Sequence, residues 1–388
     1  MRSVYLASFP GLGGTQEYTF LLARKMLAHG PTVLAMPFDE RQETQFRGAF
    51  EAMGGETLAL PTALCDDLNG RSYLRRLRAG RALARLLRDR VPLAPEERLV
   101  LHTSLSPVAV YLPARMAAKH GIAVNTFHDF GQLSGRSVSY PLNTLLLRLL
   151  PRRRTGFVVP SVDVREQLVR LVAGVGRERV RVIHTGIDPL PVIAPARPKD
   201  PPTFFMVGRV AEAKAPAVWL EAAARYRAEG GTGRFLWVGG GPLFETMQAE
   251  VERRGLGGAV RFTGYVDAVE PTVRDADVFV LSSVSEGGCL PRSVLEAMFR
   301  GFPCILPWQP SILEALGGED CVVLYHPGDA DSLANAFGAA AADPDAMAAR
   351  ALRARDLVMR HHTANAEFAG TVALYLALFA SADRECAP

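Results

Sequence analysis

Short apolar stretches alternate with amphipathic stretches along the chain. Residues 4–9 form the first apolar stretch, glycines follow, and residues 15–30 carry apolar side chains at helical spacing before a second apolar stretch at 32–38. A strand, a turn, a helix and a second strand in this order are typical of a βαβ unit. Apolar stretches at residues 99–104, 123–129, 156–161 and 180–188 repeat the pattern. The first half therefore predicts a parallel, doubly wound α/β sheet.

A proline-rich segment interrupts this alternation. Residues 188–202 read DPLPVIAPARPKDPP, and the alternation of apolar and amphipathic stretches resumes at residue 203. We therefore predict two Rossmann-like domains, 1–190 and 203–363, joined by a linker at 191–202, with a C-terminal helix in 364–388 packing back on the first domain. Two such domains are expected to face each other across a cleft, with ligands at the carboxyl ends of the strands.

Composition narrows the class of protein. Hydrophobic residues make up 48% of the chain and charged residues 22%, which is ordinary for a soluble globular protein. The 44 basic and 40 acidic residues leave a net charge of +4, too small to predict nucleic-acid binding. Five cysteines without a CxxC pair indicate neither a disulfide framework nor a zinc site and fit a reducing cytoplasm. Arg148 interrupts the best apolar stretch, 145–150, so we expect no membrane-spanning segment.

An arginine-rich stretch at residues 75–90 is the strongest local concentration of charge. Leucines interleave with its arginines at helical spacing, which favours a solvated helix face. An anionic membrane surface or a phosphate-bearing acceptor is the alternative interpretation. The apolar stretch before Arg152 leaves the same pair of interpretations, a core helix or peripheral membrane contact.

Glycines follow the first predicted strand. Gly11, Gly13 and Gly14 stand where backbone amides at a helix start favour an anion. Their spacing lacks the third glycine of the dinucleotide-binding fingerprint, which argues against a nicotinamide cofactor.

The second half contains further candidate ligand-binding positions after predicted strands. Arg209 and Lys214 follow the strand that ends near residue 207, and such cations suit the leaving charge of a diphosphate. Two ordinary surface cations are the alternative. A glycine-bearing loop at 285–290 offers amides for phosphate. The carboxylates of Glu286, in this loop, and Glu296, on the helix predicted after it, suit sugar hydroxyls.

Motifs along nearly the whole chain together resemble one family. They are GLGGTQEYTFLLARKM, NTFHD, VIHTGID, VGRVAEAK, LWVGGGPL, VRFTGYV, DADVFVLSSVSEGG and VLEAMFRGFP. In this order they resemble the GT-B glycosyltransferases of the GT4 type, which retain the anomeric configuration and use nucleotide sugars. The resemblance implies a hexosyltransferase whose donor is a nucleoside diphosphate sugar, with a UDP-sugar as the favoured candidate. It also implies that the enzyme needs neither a cofactor nor a metal ion.

The resemblance also implies roles for individual residues. Catalytic roles fall to His128, which would face the donor hexose, to Arg209 and Lys214, which would hold the diphosphate, and to Glu286, which would approach the transferred sugar. Glu296 would bind the ribose hydroxyls. The remaining donor-binding positions are Gly13, Gly14, Gly208, Gly240, Tyr265, Val266, Gly287, Gly288, Cys289 and Leu290, with the base near Tyr265 and Val266.

One departure from the family concerns its two glutamates. Nine residues lie between Glu286 and Glu296, more than the family usually has, and a two-residue loop insertion is the simplest account.

A sugar-nucleotide epimerase and a non-catalytic sugar-nucleotide-binding protein are the alternative functions. Residues 39–98 do not identify the acceptor, the composition suggests a bacterial source, and a monomer or a homodimer fits equally.

Overall fold

The computed structural model describes residues 1–8, 14–39, 43–70, 72–105, 107–128, 145–171 and 175–386. The chain divides into two compact units. The first runs from Met1 to Ile183 and includes the C-terminal segment from Glu367, and the second runs from His184 to Ala366. Residues 191–202, the predicted linker, lie within the second unit.

The first unit is built on a seven-stranded parallel sheet in the order β3-β2-β1-β4-β5-β6-β7. The strands are β1 (Arg2–Leu6), β2 (Thr32–Met36), β3 (Glu56–Ala59), β4 (Leu99–Thr103), β5 (Gly121–Thr126), β6 (Thr155–Val159) and β7 (Val180–Val182). The helices between them are α1 (Gly14–Met26), α2 (Gly48–Ala52), α3 (Thr62–Asn69), α4 (Tyr73–Arg90), α5 (Pro107–His120) and α6 (Val162–Leu171).

Both faces of this sheet are covered, as continuous apolar strands require. Val4 and Leu101 face one core cluster together with Leu83 and Leu87 of α4. Tyr5, Leu34 and Val124 face a second cluster that includes Leu22 of α1. Alternate strand residues point to opposite faces, so each central strand contributes to both cores. The arginine-rich stretch forms α4 as predicted. Its Leu83 and Leu87 are buried, Leu74 is 64% exposed, and most of its arginines are exposed.

The second unit is built on a six-stranded sheet in the order β10-β9-β8-β11-β12-β13. Its strands are β8 (Thr203–Val207), β9 (Arg234–Val238), β10 (Val260–Phe262), β11 (Val278–Val280), β12 (Cys304–Pro307) and β13 (Val323–Tyr325). Its helices are α7 (Pro216–Ala228), α8 (Phe244–Arg253), α9 (Val269–Val273), α10 (Arg292–Phe299), α11 (Pro310–Leu316), α12 (Ala330–Ala342) and α13 (Pro344–His361).

Aromatic side chains fill much of the second core. The ring centroids of Trp219 and Trp237 lie 5.4 Å apart in an edge-to-face contact, and those of Phe204 and Phe337 lie 4.7 Å apart. Such pairs add directional contacts to the burial of large apolar surfaces. They join α7 and α12 to the middle of the sheet.

A long C-terminal helix, α14 (Ala364–Cys386), follows the second unit in the chain and packs in the first. Leu374, Tyr375 and Leu378 lie in the core cluster that contains Tyr5. Residues 364–384 form the one helix in the described part of the chain that is long and apolar enough, by length and composition, to cross a membrane. Burial of these side chains in the first unit is an alternative reason for its apolar character.

The prediction of two parallel α/β sheets is confirmed. The sequence pattern did not lead us to predict two edge strands, β3 and β13. The residues of β3 are only partly buried or exposed, so β3 lacks the continuous apolar signal of a central strand. The strand β13 lies in an apolar run, residues 321–325, that we did not assign to a strand. In each sheet the strand order reverses between two central neighbours, β1 and β4 in the first and β8 and β11 in the second. Ligands of doubly wound sheets bind outside the carboxyl ends of such strands.

Candidate functional site

In the second unit, the carboxyl end of β8 begins the candidate donor site. The indole Nε1 of Trp237 donates a hydrogen bond of 2.9 Å to the carbonyl oxygen of Gly208, which fixes the backbone as it leaves the strand. Arg209 follows with an exposed side chain. The guanidinium therefore stands at the edge where the strand order reverses.

Two neighbouring turns approach this position closely, and glycines make the approach possible. A Cβ at Gly239, whose φ is +141°, would lie 2.2 Å from the carbonyl oxygen of Gly208. A Cβ at Gly241 would lie 2.9 Å from Cγ of Arg209, and one at Gly240 would lie 3.3 Å from the amide nitrogen of Tyr265. The turns after β8, β9 and β10 thus meet, which brings four predicted residues together: Gly208, Arg209, Gly240 and Tyr265. The ring of Tyr265 is more than half exposed, and Val266 packs partly against the core.

Lys214 and Glu286 form the most direct contact between predicted site residues. A short 3₁₀ turn, Glu212–Lys214, follows β8 and presents the lysine. Its Nζ lies 2.6 Å from Oε1 of Glu286, which comes from the loop after β11. The lysine side chain is 25% exposed and the glutamate side chain 9%. The ion pair therefore joins the two strands at which the order reverses and is largely shielded from solvent.

The loop that carries Glu286 is shaped by glycines. Gly287 and Gly288 have φ values of +57° and +98°, a left-handed conformation that strains other residues. The amide of Cys289 donates to the carbonyl oxygen of Glu286 at 3.2 Å, and Leu290 is buried. The loop is thus a tight, anchored turn in which the residues of the apparent insertion are accommodated.

Three side chains that we did not predict hydrogen-bond to backbone carbonyl oxygens next to this loop and to that of Lys214. Ser282 Oγ donates to the carbonyl oxygen of Lys214 at 2.6 Å, and Gln309 Nε2 donates to the carbonyl oxygen of Ser283 at 2.9 Å. Tyr325 donates to the carbonyl oxygen of Leu281 at 3.0 Å. Burial, with the nearby Glu286 charge, raises the pKa of Tyr325, so its hydroxyl stays protonated and remains a donor. Gln309 and Tyr325 come from distant segments, and no local motif marks them.

Glu296 lies on α10, the helix that follows the loop. Its carboxylate lies 3.9 Å from the guanidinium of Arg292, one helical turn earlier, and its side chain is 37% exposed. A partly exposed carboxylate with a weak helical partner is accessible to a ligand. Its predicted contact with ribose hydroxyls stays a prediction.

Of the predicted residues of the first unit, the structure describes Gly14 and His128. Gly13 lies outside the described residues, and Gly14 is the first residue of α1. His128 follows β5 and is partly buried, with Nε2 3.2 Å from Oγ of Ser104. The ring of Tyr18 meets the His128 ring edge to face at 4.8 Å between centroids. Burial lowers the pKa of His128 to about 4, so the ring is neutral at physiological pH.

A buried polar network lies beside His128. The ring of His102 is bonded on both nitrogens, at 2.5 Å from Nδ1 to the hydroxyl of Tyr375 and at 2.7 Å from Nε2 to Oγ1 of Thr126. The Tyr18 hydroxyl lies 2.8 Å from the same Thr126 oxygen, and the Tyr5 hydroxyl lies 3.1 Å from that of Tyr375. The network therefore links α1, which carries Tyr18, to α14, and Tyr18 in turn contacts His128.

Among the described residues, no three His, Cys, Asp or Glu side chains gather as a metal site would require. The candidate residues of the second unit are glycine turns, two cations and a supported carboxylate. Those of the first unit include a neutral, oriented histidine.

Comparison with known protein families identifies the family of the chain. The model of "Glycosyltransferase Family 4" matches residues 12–189, and that of "Glycosyl transferases group 1" matches residues 201–343. The chain belongs to the GT-B glycosyltransferases of this group. The two matched regions together contain every residue to which we assigned a role.

Individual proteins agree with this assignment. The putative colanic acid biosynthesis glycosyltransferase WcaL of Escherichia coli is 31% identical over 220 residues, 53% of this chain and 53% of that protein. The chain thus spans about half the length of this curated relative. The solved structure of a glycosyltransferase from Rickettsia africae has a TM-score of 0.75 at 14% identity and covers 97% of both chains. The structure of Anabaena HepE with UDP and glucose has a TM-score of 0.73 at 16% identity, over 96% of this chain and 98% of that one.

Proposed function

We propose that the chain transfers a hexosyl group from a UDP-sugar to an acceptor hydroxyl, with retention of the anomeric configuration and without a metal ion. The observation that carries the proposal is the placement of Arg209 and Lys214 beside glycine turns at the strand-order reversal of the second sheet. In doubly wound sheets this edge is where nucleotides bind. HepE, a structural neighbour, holds UDP and glucose in its solved structure, which supports UDP as the nucleotide.

The two cations suit the charge that develops on the leaving group. As the bond between the sugar and the diphosphate breaks, negative charge accumulates on the β-phosphate. The planar guanidinium of Arg209 donates two parallel hydrogen bonds to phosphate oxygens, and the ammonium of Lys214 acts as a point charge. Preorganised cations at such a position stabilise the transition state. They supply the stabilisation that a divalent metal ion would otherwise provide.

Glu286 holds Lys214 in place before the donor binds. The ion pair of 2.6 Å restricts a flexible side chain that would otherwise sample many rotamers. An incoming diphosphate then competes with the carboxylate for the ammonium. Glu286 is therefore a positioning residue for Lys214 in this proposal, and its predicted approach to the transferred sugar stays a prediction.

Retention follows from attack on the same face of the sugar that the leaving group departs from. The acceptor oxygen forms a bond to the anomeric carbon, the bond from that carbon to the β-phosphate oxygen breaks, and the acceptor proton passes to the departing phosphate. The protein contributes orientation and electrostatic stabilisation.

The contribution of the first unit is proposed more broadly. It binds the acceptor, and its neutral, oriented His128 faces the hexose. The free cysteines among the described residues fit a cytoplasmic enzyme that works in a reducing compartment.

The test compares single alanine variants in two assays. Arg209→Ala and Lys214→Ala are assayed for UDP affinity by calorimetry and for UDP release from UDP-glucose. Each is expected to lower turnover by about a hundredfold, as the loss of one transition-state donor does. Arg234→Ala is the matched control, because this exposed arginine lies at the amino end of β9, on the opposite edge of the same sheet.

Two further measurements address the finer claims. Turnover is expected to be unchanged by a chelator, and the anomeric configuration of the product, read by nuclear magnetic resonance, is expected to match the donor. Near-normal turnover in both variants would refute the role of the cations. An inverted product or a requirement for metal would refute the corresponding part of the proposal.

A further inference from the structure

A cavity in the first unit is lined by none of the candidate functional residues. It has a volume of about 350 Å³ and is enclosed by β1, β4, the carboxyl-terminal ends of α4 and α5, and the loop after α4. Helices in a doubly wound fold end at the amino edge of the sheet, because each runs antiparallel to its strands. The cavity therefore opens at the amino edge of the sheet. The candidate residues His128 and Gly14 lie at the opposite, carboxyl edge.

The walls of the cavity are apolar. Aliphatic and thioether side chains line the interior: Val4, Leu87, Val91, Leu99, Leu101 and Met116. Such walls offer no partner to the hydroxyls of a sugar or the oxygens of a phosphate, whose burial without hydrogen bonds is costly. An apolar cavity of about 150 Å³ holds a molecule the size of benzene. At about 350 Å³, this cavity has room for an alkyl chain of medium length.

The mouth of the cavity is polar. Arg88 and His120, both exposed, and Glu97, which is partly buried, contribute to its lining. The carboxylate of Glu97 accepts a hydrogen bond of 3.1 Å from the amide of Ala94 and so closes the loop. Within the described ranges, the guanidinium of Arg88 pairs only with the adjacent Asp89, and both side chains are highly exposed, so water screens the pair. The mouth therefore presents an accessible cation above an apolar interior.

The charge at the mouth continues along α4. Arg75, Arg78, Arg81, Arg85 and Arg88 recur every three or four residues and are all exposed, so they form one face of the helix. The first four make no ion pair with any residue in the described ranges. No acidic residue lies in the first turn of α4, where the helix dipole favours one. Like charges at this spacing repel each other, so this arginine face lowers the stability of the helix.

We propose that the cavity binds the alkyl chain of an anionic amphiphile, whose head group is held by Arg88 at the carboxyl-terminal end of the arginine face of α4. The apolar walls select the chain, the volume limits its length, and the cation at the mouth selects the charge of the head. A membrane lipid and a soluble acyl compound share this chemistry. The site is separate from the proposed donor site and binds its ligand whether or not the proposed transfer reaction is correct.

The test uses decanoate as the soluble probe and vesicles of phosphatidylcholine with phosphatidylglycerol as the membrane probe. Decanoate is titrated calorimetrically below its micellar concentration, with decanol as the uncharged probe of equal chain length. Ala94→Trp places an indole at the lining of the cavity. Arg88→Glu reverses the charge at the mouth. Arg75→Glu makes the same change on the same face, about 20 Å away along the helix.

The wild type is expected to bind decanoate with saturation and decanol more weakly. Arg88→Glu is expected to weaken decanoate binding about tenfold, as loss of one charge-assisted contact does. Ala94→Trp should abolish binding, and Arg75→Glu should leave it unchanged. Vesicle binding that Ala94→Trp also abolishes identifies a membrane lipid as the source, whereas decanoate binding without vesicle binding identifies a soluble one.

Two results would overturn the proposal. One is the absence of saturable binding to either probe by the wild type. The other is vesicle binding that Arg75→Glu and Arg88→Glu weaken equally while Ala94→Trp leaves it intact, because the arginine face would then attach to anionic surfaces without using the cavity. Urea unfolding followed by circular dichroism, measured on every variant, reports whether the first unit, which carries all three substitutions, is folded.

Discussion

The buried histidine of the first unit makes the stability of the protein depend on pH. His102 is 2% exposed, and burial, with the neighbouring His128, lowers its pKa to about 3. In the unfolded chain the pKa of histidine is about 6.5. Between these two pKa values, His102 therefore binds a proton in the unfolded state and stays neutral in the folded state. The stability contributed by neutral His102 is complete above about pH 6.5 and is lost as the pH falls towards about 3.

The perturbation is His102→Gln, which removes the titrating group and keeps a donor and an acceptor for the two partners of the ring. Linkage gives the size of the effect. Between about pH 7.5 and about pH 4.5, the folded state of the wild type loses about 2.6 kcal/mol relative to the variant. His128 also resists protonation, but it is present in both proteins, so its contribution cancels in the difference.

Urea unfolding followed by circular dichroism measures this difference across the pH range. Tryptophan fluorescence serves as a parallel record of the second unit, since Trp219, Trp237 and Trp308 all lie there. His326→Gln, at an exposed position of the second unit, is the control and is expected to follow the wild type. Parallel pH curves for the wild type and His102→Gln would refute the reasoning, because they would mean that His102 takes up its proton in the folded state.

Three further predictions concern single contacts. Tyr375→Phe removes a buried hydroxyl that bonds both His102 and Tyr5, so unfolding is expected to cost about 2 kcal/mol less, with hydrogen exchange rising in α14; unchanged exchange would contradict it. Gly239→Ala places a Cβ against backbone, and we expect a loss of about 3 kcal/mol in urea unfolding together with weaker UDP binding; wild-type stability would disprove the close approach. Glu286→Gln frees the Lys214 ammonium, so UDP affinity measured by calorimetry should rise about threefold while turnover falls, and a parallel loss of both would count against the positioning role.

The amino-acid sequence determined the fold class of both halves. Central strands buried on two faces need continuous apolar runs, and the helices that cover them need apolar side chains at helical spacing, so both signals are local. The edge strand β3 was missed because an edge position does not require burial on both faces, whereas β13 was missed although residues 321–325 are all apolar. The local pattern also placed glycines after strands, where only close approach of backbone explains them.

The sequence also placed the candidate residues in order along the chain but not their partners. Lys214 and Glu286 were each predicted at the donor site, and only the tertiary structure paired them at 2.6 Å, because the reversal of strand order brings the ends of β8 and β11 together. Ser282, Gln309 and Tyr325, which support the loop, carry no motif.

The same distinction holds in the first unit. His102 lies within an apolar strand, and nothing local separates it from any other strand residue. Its partner Tyr375 follows far along the chain and reaches it only because α14 packs in the first unit. Periodicity is a property of neighbouring residues, whereas a buried hydrogen bond or a shifted pKa depends on which distant segments meet. The sequence therefore determined the elements and the family, and the tertiary structure decided the contacts that give individual residues their chemistry.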